Sequence, residues 1–274
     1  MDNEAPSREF VWTESDFSRV QGLIYQRVGI SLHNGKHAMV YSRLSRRLRE
    51  TGYLSFKEYL DFLELGDNSE WQEFVNALTT NLTSFFREQH HFEILASYLK
   101  TKPENALWRL WCSAASTGEE PYSIAMTAIE ALSGSGKFNL VASDIDSKVL
   151  ALAKHGIYKL DGLKGVSDAR IHRFFLRGKG LNEGMVKVKS DLLNVIDFLN
   201  VNLINNDWPF RDPFNIVFCR NVMIYFDGPT QRKVLERIHR VMTPGGLLFV
   251  GHAENFSESR DLFVLKGETV YERI

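Results

Sequence analysis

Between Leu107 and Met126 the chain reads Leu-Trp-Arg-Leu-Trp-Cys-Ser-Ala-Ala-Ser-Thr-Gly-Glu-Glu-Pro-Tyr-Ser-Ile-Ala-Met, a stretch that few folds can accommodate. Leu107–Cys112 is short and apolar or aromatic at nearly every position, the pattern of a parallel strand buried on both faces. Ser113–Gly118 is a run of small residues over which backbone can approach a ligand closely. Glu119 and Glu120 open a helix, Pro121 lies in its first turn, and Ile124, Ala125, Ala128, Ile129 and Leu132 form its apolar side. Strand, small-residue loop and helix begin a nucleotide-type α/β fold, which binds its ligand in the crevice above that loop.

The loop has no Gly-x-Gly-x-x-Gly fingerprint, and two glutamates there would repel a pyrophosphate. Acids at this place suit a neutral or cationic ligand rich in hydroxyl and amino donors, and S-adenosylmethionine is such a ligand. The plain alternative is that both glutamates are first-turn acids favoured by the helix dipole.

At 274 residues the chain can hold one large or two small domains with ample core. A net charge of -1 argues against a general nucleic-acid binder. Cys112 and Cys219 fall inside expected strands with no Cys or His at ligand spacing, so they read as buried thiols of a cytosolic protein. Met1–Glu9 is polar, no apolar stretch of signal-peptide length follows it, and no run is long enough to span a membrane. A soluble, cytoplasmic protein is expected. The eight histidines, His90-His91 included, form no metal-ligand pattern, and no metal is expected.

Residues 1–80 read as an all-α unit of four short amphipathic helices. Ser15 can cap the first, with Phe17, Val20, Leu23, Ile24 and Val28 inward and Gly29 closing it. Gly35–Glu50 carries Val40, Leu44 and Leu48. Ser55 opens a third, and Asn68 or Ser69 a fourth. The second helix concentrates Lys36, Arg43, Arg46, Arg47 and Arg49 against Glu50. That density fits an acidic partner surface, although a solvated face or contact with nucleic-acid phosphates remains open.

Asn81-Leu-Thr-Ser-Phe-Phe-Arg87 leads out of this unit. Thr83 or Ser84 is placed to cap the helix Glu88–Lys100, or the segment lines a site at a domain junction. Phe138–Asp144 is the second strand. Asp144, some twenty-odd residues past the glycine of the loop, is where such folds grip a ribose; a capping role is the alternative, one that Asp146 fits better. From about 157 to 195 the alternation breaks, and Met185-Val-Lys-Val-Lys-Ser predicts an antiparallel ribbon with one wet face. This small β-subdomain either recognises a macromolecule or decorates the sheet. Ile196–Leu203 is the next strand, and Asn215–Cys219 another, ending in Arg220-Asn221 at the edge where doubly wound sheets do their chemistry. A helix over Thr230–Met242, a turn at Pro244-Gly245-Gly246, the strand Leu247–Val250 and a closing antiparallel pair complete the chain. An antiparallel pair ending a parallel sheet is, by analogy of fold, the mark of S-adenosylmethionine-dependent methyltransferases.

Six stretches together resemble the CheR-type chemotaxis receptor methyltransferases, which are protein-glutamate O-methyltransferases. They are Asn81–Arg87, Ser113-Ala-Ala-Ser-Thr-Gly-Glu-Glu-Pro-Tyr-Ser123, Ala142-Ser-Asp-Ile-Asp146, Asn202-Leu203, Phe218-Cys-Arg-Asn-Val-Met-Ile-Tyr-Phe226 and Gly251-His-Ala-Glu-Asn-Phe256. Ala253 replaces a serine common in the family. The resemblance implies a doubly wound, Rossmann-like methyltransferase sheet at 91–274 with a terminal antiparallel strand, an insert at about 157–195, a helical domain at 1–80, and a linker at 81–90 that contributes to the cofactor site. It further implies that Asn81, Thr83 and Arg87 contact the methionine part of S-adenosylmethionine or lie beside it, with Glu119 near its amino group and Asp144 on its ribose. Asn202 and Leu203 would flank the adenine, and Arg220 and Asn221 would complete the pocket. Arg87 and Tyr225 would lie nearest the transferred methyl; taken from the residues alone, Tyr225 reads as a packing aromatic. Arg43, Arg46, Arg47 and Arg49 would meet the cytoplasmic helical bundle of the receptor, and the β-subdomain would dock the receptor or its tail.

The implied chemistry needs no general base, because a glutamate of ordinary pKa about 4.3 is already ionised at neutral pH. Two further functions remain on the sequence: a nucleic-acid methyltransferase, disfavoured by charge and by Arg220-Asn-Val-Met where base aminomethylases carry Asn/Asp-Pro-Pro-aromatic, and a non-catalytic adaptor that binds S-adenosylmethionine.

Overall fold

The computed structural model describes residues 9–66, 69–101, 106–132, 137–256 and 259–274. The chain divides into two compact units, one comprising the described residues up to Thr80 with Tyr225–Asp227, the other Asn81–Ile224 with Gly228–Ile274.

The first unit is helical. α1 (Glu14–Val28) starts from a capping box on Thr13, whose hydroxyl accepts from Asp16 N while the Asp16 carboxylate accepts from Thr13 N. The expected cap, Ser15, instead lies inside the first turn, because only Thr13 has a carboxylate three residues on to return the bond. Gly29 ends α1 in the left-handed region. A single 3-10 turn, Asn34–Lys36, precedes α2 (His37–Thr51), so that helix begins two residues later than its pattern predicts. Ser55 caps α3 (Phe56–Glu64) through Glu58 N, as expected. α4 (Glu70–Leu78) follows Ser69, which makes no side-chain cap bond; Asn68, the other expected cap, lies outside the described residues. Val40, Leu44 and Leu48 of α2 are fully buried.

The second unit is α/β. α5 (His90–Leu99) and β1 (Leu107–Cys112) lead to α6 (Glu119–Leu132), then β2 (Lys137–Asp144) and α7 (Ser147–His155). An insert follows: β3 (Ile157–Lys159), α8 (Asp168–Phe174), β4 (Phe175–Arg177), β5 (Met185–Val188) and the single turn α9 (Ser190–Leu193). β6 (Ile196–Asn200), β7 (Phe214–Phe218), α10 (Gly228–Arg240), β8 (Met242–Phe249), β9 (Phe263–Gly267) and β10 (Val270–Arg273) complete it. α5 has no side-chain cap, and neither Thr83 nor Ser84 borders it; after Ser84 the chain passes through five further residues before the helix begins at His90.

The main sheet runs β6-β2-β1-β7-β8-β10-β9. β1 is parallel to both β2 and β7, β7 is parallel to β8, and β10 is antiparallel to β8 and β9. Sequence order therefore reverses at β1, which places the crevice at its C-terminal end. The register pairs Cys112 with Ala142 and with Phe218, so Ser113, Asp144 and Arg220 leave the sheet at one edge. The core beneath is aromatic and dry: Trp108, Leu110, Phe218 and Phe249 are each at most 1 % exposed, and Phe218 stacks on Phe249 at 4.3 Å. Pro244-Gly245-Gly246 does not turn ahead of β8 but lies within it as an irregularity, the pairing jumping from Phe214–Met242 to Ile216–Leu247. The insert forms its own antiparallel sheet, β3-β5-β4, with Val186 and Val188 buried and Lys187 exposed, the wet and dry faces that the alternation predicts.

Candidate active site

One turn, Ser116–Gly118, organises the edge of the sheet. Ser116 has φ +48, and its N–H donates at 2.8 Å to Oδ2 of Asp144. Oδ1 of Asp144 accepts from Asp146 N at 2.9 Å. Ile145 N–H is a third backbone donor to this buried carboxylate, and burial pushes its pKa up to about 6. Gly118 has φ +103, and a Cβ there would meet Tyr158 Oη at 2.7 Å. Tyr158, from β3, donates to the Thr117 carbonyl at 2.7 Å, so the insert braces the turn. The Thr117 hydroxyl donates to Glu119 Oε2 at 2.6 Å, and burial raises the Glu119 pKa.

Asn81 is drawn to the same turn. Its Nδ2 donates to Asp146 Oδ2 at 2.8 Å, and its carbonyl accepts from Ser116 Oγ at 2.9 Å. Asp146 also caps α7 through Lys148 N and Val149 N, the capping role that its position predicts. Thr83 is half-buried in the segment after Asn81. Beyond β2, the Asp144 carbonyl accepts from Val201 N and Asn200 Nδ2. Asn202 folds into its own turn, with Oδ1 accepting from Ile204 N at 3.2 Å, and the Leu203 side chain is buried.

At the end of β7, Arg220 is fully buried at its side chain. Nη1 donates to Glu120 Oε2 at 2.7 Å, Nη2 donates to the Arg87 carbonyl at 2.6 Å, and Glu88 Oε2 lies 3.3 Å from Nη2. Burial raises the Glu120 pKa against the pull of Arg220. Arg87 sits between two residues in the left-handed region, Phe86 at φ +52 and Glu88 at φ +57, and Phe86 N donates to Ser123 Oγ. The Arg87 guanidinium reaches back to the Leu82 carbonyl at 3.1 Å. Asn221, also left-handed at φ +56, is held by Glu254, whose carboxylate accepts from the backbone N–H groups of Asn221, Val222, Met223 and Gly251. A Cβ on Gly251 would overlap the Asn221 amide.

Phe86, Glu88, Ser116 and Asn221 are four of the six non-glycine residues with positive φ among the described residues. Each such residue costs on the order of 1–3 kcal/mol, and such strain collects at functional sites.

The structure therefore joins Asn81, Asp144 and Glu119 through one turn, and Arg87 to Arg220 through a carbonyl. It also brings in residues to which sequence reasoning gave no role. Of the adjacent acids, Glu120 turns inward to Arg220 while Glu119 stays on the turn. Glu254 is the organising anion behind Asn221, and only the Gly251–Phe256 stretch signalled it. Glu88 and His91 gather below Arg220, and burial pushes the His91 imidazole down to about 4. Cys112 and Cys219 are free and buried.

Tyr225 and the arginine helix belong to the helical unit. Tyr225 is half-buried, and its carbonyl accepts from Ser31 N at 2.8 Å. Arg47 grips Glu70 with both ends of its guanidinium, at 2.9 and 2.7 Å, and Tyr59 donates to the same carboxylate. Arg43 donates to the Thr79 carbonyl. Both thus have partners inside the unit. Arg46 and Arg49 project outward, at 77 and 57 % side-chain exposure, beside Glu50 and Glu9.

Two buried-to-half-buried acids on a glycine turn fit hydroxyl and ammonium donors, and no nucleophile or base is needed to hold them. Comparison with known proteins agrees with that donor set. Residues 81–271 match the family described as CheR methyltransferase, SAM binding domain, and residues 15–79 match CheR methyltransferase, all-alpha domain. The chemotaxis protein methyltransferase of Salmonella typhimurium is 50 % identical over 94 % of this chain and 90 % of its own length. That of Escherichia coli is 48 % identical over 94 % and 91 %. Chemotaxis protein methyltransferase 2 of Pseudomonas aeruginosa is 47 % identical over 97 % and 95 %.

Proposed function

Because the chain belongs to the CheR methyltransferase family and binds S-adenosylmethionine, we propose that it transfers a methyl group to glutamate carboxylates of chemotaxis receptors in the cytoplasm. S-adenosylmethionine, when bound, supplies an electrophilic methyl on a sulfonium and leaves as S-adenosylhomocysteine. The observation that carries the reading is the turn Ser116–Gly118, which holds Asp144 and Glu119 with acceptor capacity to spare.

In this reading Asp144 accepts from the ribose, Glu119 accepts from the amino group, and Asn202 and Leu203 flank the adenine. Asn81, Thr83, Arg220 and Asn221 shape the rest of the pocket, Asn81 and Arg220 through the backbone and carboxylates they fix. Arg87 orients the substrate carboxylate, and Tyr225 contacts the sulfonium end. A carboxylate attacking a sulfonium loses charge as it goes, so excluding water and aligning oxygen, carbon and sulfur supply the rate. The outward arginines Arg46 and Arg49, on a helix anchored by Arg43 and Arg47, suit an acidic helical receptor surface. The β-subdomain is the proposed dock for the receptor or its tail.

The test is incubation with methyl-labelled S-adenosylmethionine and receptor-containing membranes. Label on the receptor that is released by mild base, as a carboxyl ester requires, is the expected result. Base-stable label, label on nucleic acid, or cofactor binding with no protein labelled would refute the proposal.

A further inference from the structure

Glu88, His90 and His91 each bring a candidate ligand atom to within 4.8 Å of the others. His91 is fully buried. Its Nε2 lies 2.8 Å from the Glu268 carbonyl and 3.0 Å from Thr269 Oγ1. A carbonyl only accepts, so Nε2 carries the ring proton and Nδ1 of the neutral ring presents a bare lone pair. That atom has no hydrogen-bond partner, and it faces Glu88 Oε2 at 3.7 Å, an oxygen ion-paired with Arg220. Arg220 stands on the flank of this carboxylate at 3.3 Å, with its other contacts on Glu120 and the Arg87 carbonyl, and leaves Nδ1 unserved. A buried imidazole lone pair that faces a carboxylate oxygen is costly unless a positive centre serves it as well.

We propose that Glu88, His90 and His91 form a site for one divalent transition-metal ion of the class that takes imidazole and carboxylate together, zinc first among them. Bonds of about 2.0–2.2 Å place neighbouring tetrahedral ligands about 3.4 Å apart, so the Glu88–His91 pair needs to close by only a few tenths of an ångström. His90 is 39 % exposed at its side chain, which lets its ring swing to complete the set. His252 Nδ1, 3.2 Å from the other Glu88 oxygen, or water fills the fourth position. The backbone carbonyl behind His91 is the partner that fixes tautomer and ring direction in metal-bound histidines. Two carboxylates, Glu88 and Glu120, outnumber the one buried guanidinium and leave room for added positive charge.

The site is tested by binding alone. The full chain, stripped with a chelator and titrated with zinc chloride by calorimetry, should bind one equivalent. Cobalt chloride should give visible d–d absorption. His91→Gln should abolish both signals, and His90→Ala, a substitution at a partly exposed position that keeps the core intact, should weaken zinc binding at least about tenfold. Absence of zinc binding by the unaltered chain overturns the proposal, as does binding that survives His90→Ala unchanged.

Discussion

Arg220 holds Arg87 by its backbone: Nη2 of Arg220 donates to the Arg87 carbonyl at 2.6 Å, while Nη1 is fixed by Glu120 at 2.7 Å. The carbonyl so held belongs to a residue flanked by two left-handed neighbours, a conformation that persists only when its surroundings over-determine it. Glu120 therefore governs where the Arg87 side chain starts from. Glu120→Gln should cost about 1–3 kcal/mol of stability, read by urea unfolding, because it removes the closer of the two carboxylates paired with the buried Arg220 guanidinium and leaves Glu88 as its counter-charge. It should also lower kcat more than it raises KM for the methyl donor.

Arg87→Ala removes the side chain and leaves its carbonyl. If the guanidinium orients the substrate carboxylate, kcat should fall about 100-fold or more. The melting temperature should stay near that of the unaltered chain. Unchanged turnover would remove Arg87 from the chemistry.

The pKa of Asp144, pushed up to about 6 by burial, gives stability and binding opposite pH slopes. A carboxyl with a folded pKa above its ordinary value of about 3.9 takes up its proton more readily when folded. Its contribution to the stability of the unliganded protein therefore rises as pH falls from 6 towards 4. Ribose hydroxyls need the anion as acceptor, so affinity for S-adenosylhomocysteine should fall over the same range, approaching tenfold per unit well below pH 6. Denaturant titration and calorimetry across pH 4.5–8 measure both, and Asp144→Asn should flatten them.

The arginine helix separates into two pairs. Arg47→Ala should destabilise the helical unit by about 3–5 kcal/mol, since it strips the counter-charge from buried Glu70. Arg46→Glu or Arg49→Glu should change stability by less than about 0.5 kcal/mol. If this surface meets an acidic receptor, each of these reversals should raise KM for receptor, and the effect should shrink with added salt.

Much of this was legible in the residues. Strand, small-residue loop and acids at strand ends gave the sheet and placed Glu119 and Asp144 at one edge, because period and strand termini are local properties. The division of labour was not. Glu119 and Glu120 are neighbours of the same type, and only the arrival of Arg220, a hundred residues later, turns one inward. Arg46 and Arg47 are equally alike until α4 brings Glu70 to one of them. Thr13 outcompeted Ser15 as a cap through Asp16, a local signal that was open to reading. Pro244-Gly245-Gly246 has turn composition, but β8 pairs with β7 on both sides of it, at Met242 and at Leu247, so it stays within the strand as an irregularity.

The most direct test is calorimetric titration of the unaltered chain and of Asp144→Asn with S-adenosylhomocysteine at pH 7.5. The acid-bearing turn predicts saturable one-site binding, weakened at least about tenfold by loss of the charged acceptor. Absence of heat with the unaltered chain, or equal affinity in the two proteins, would contradict it.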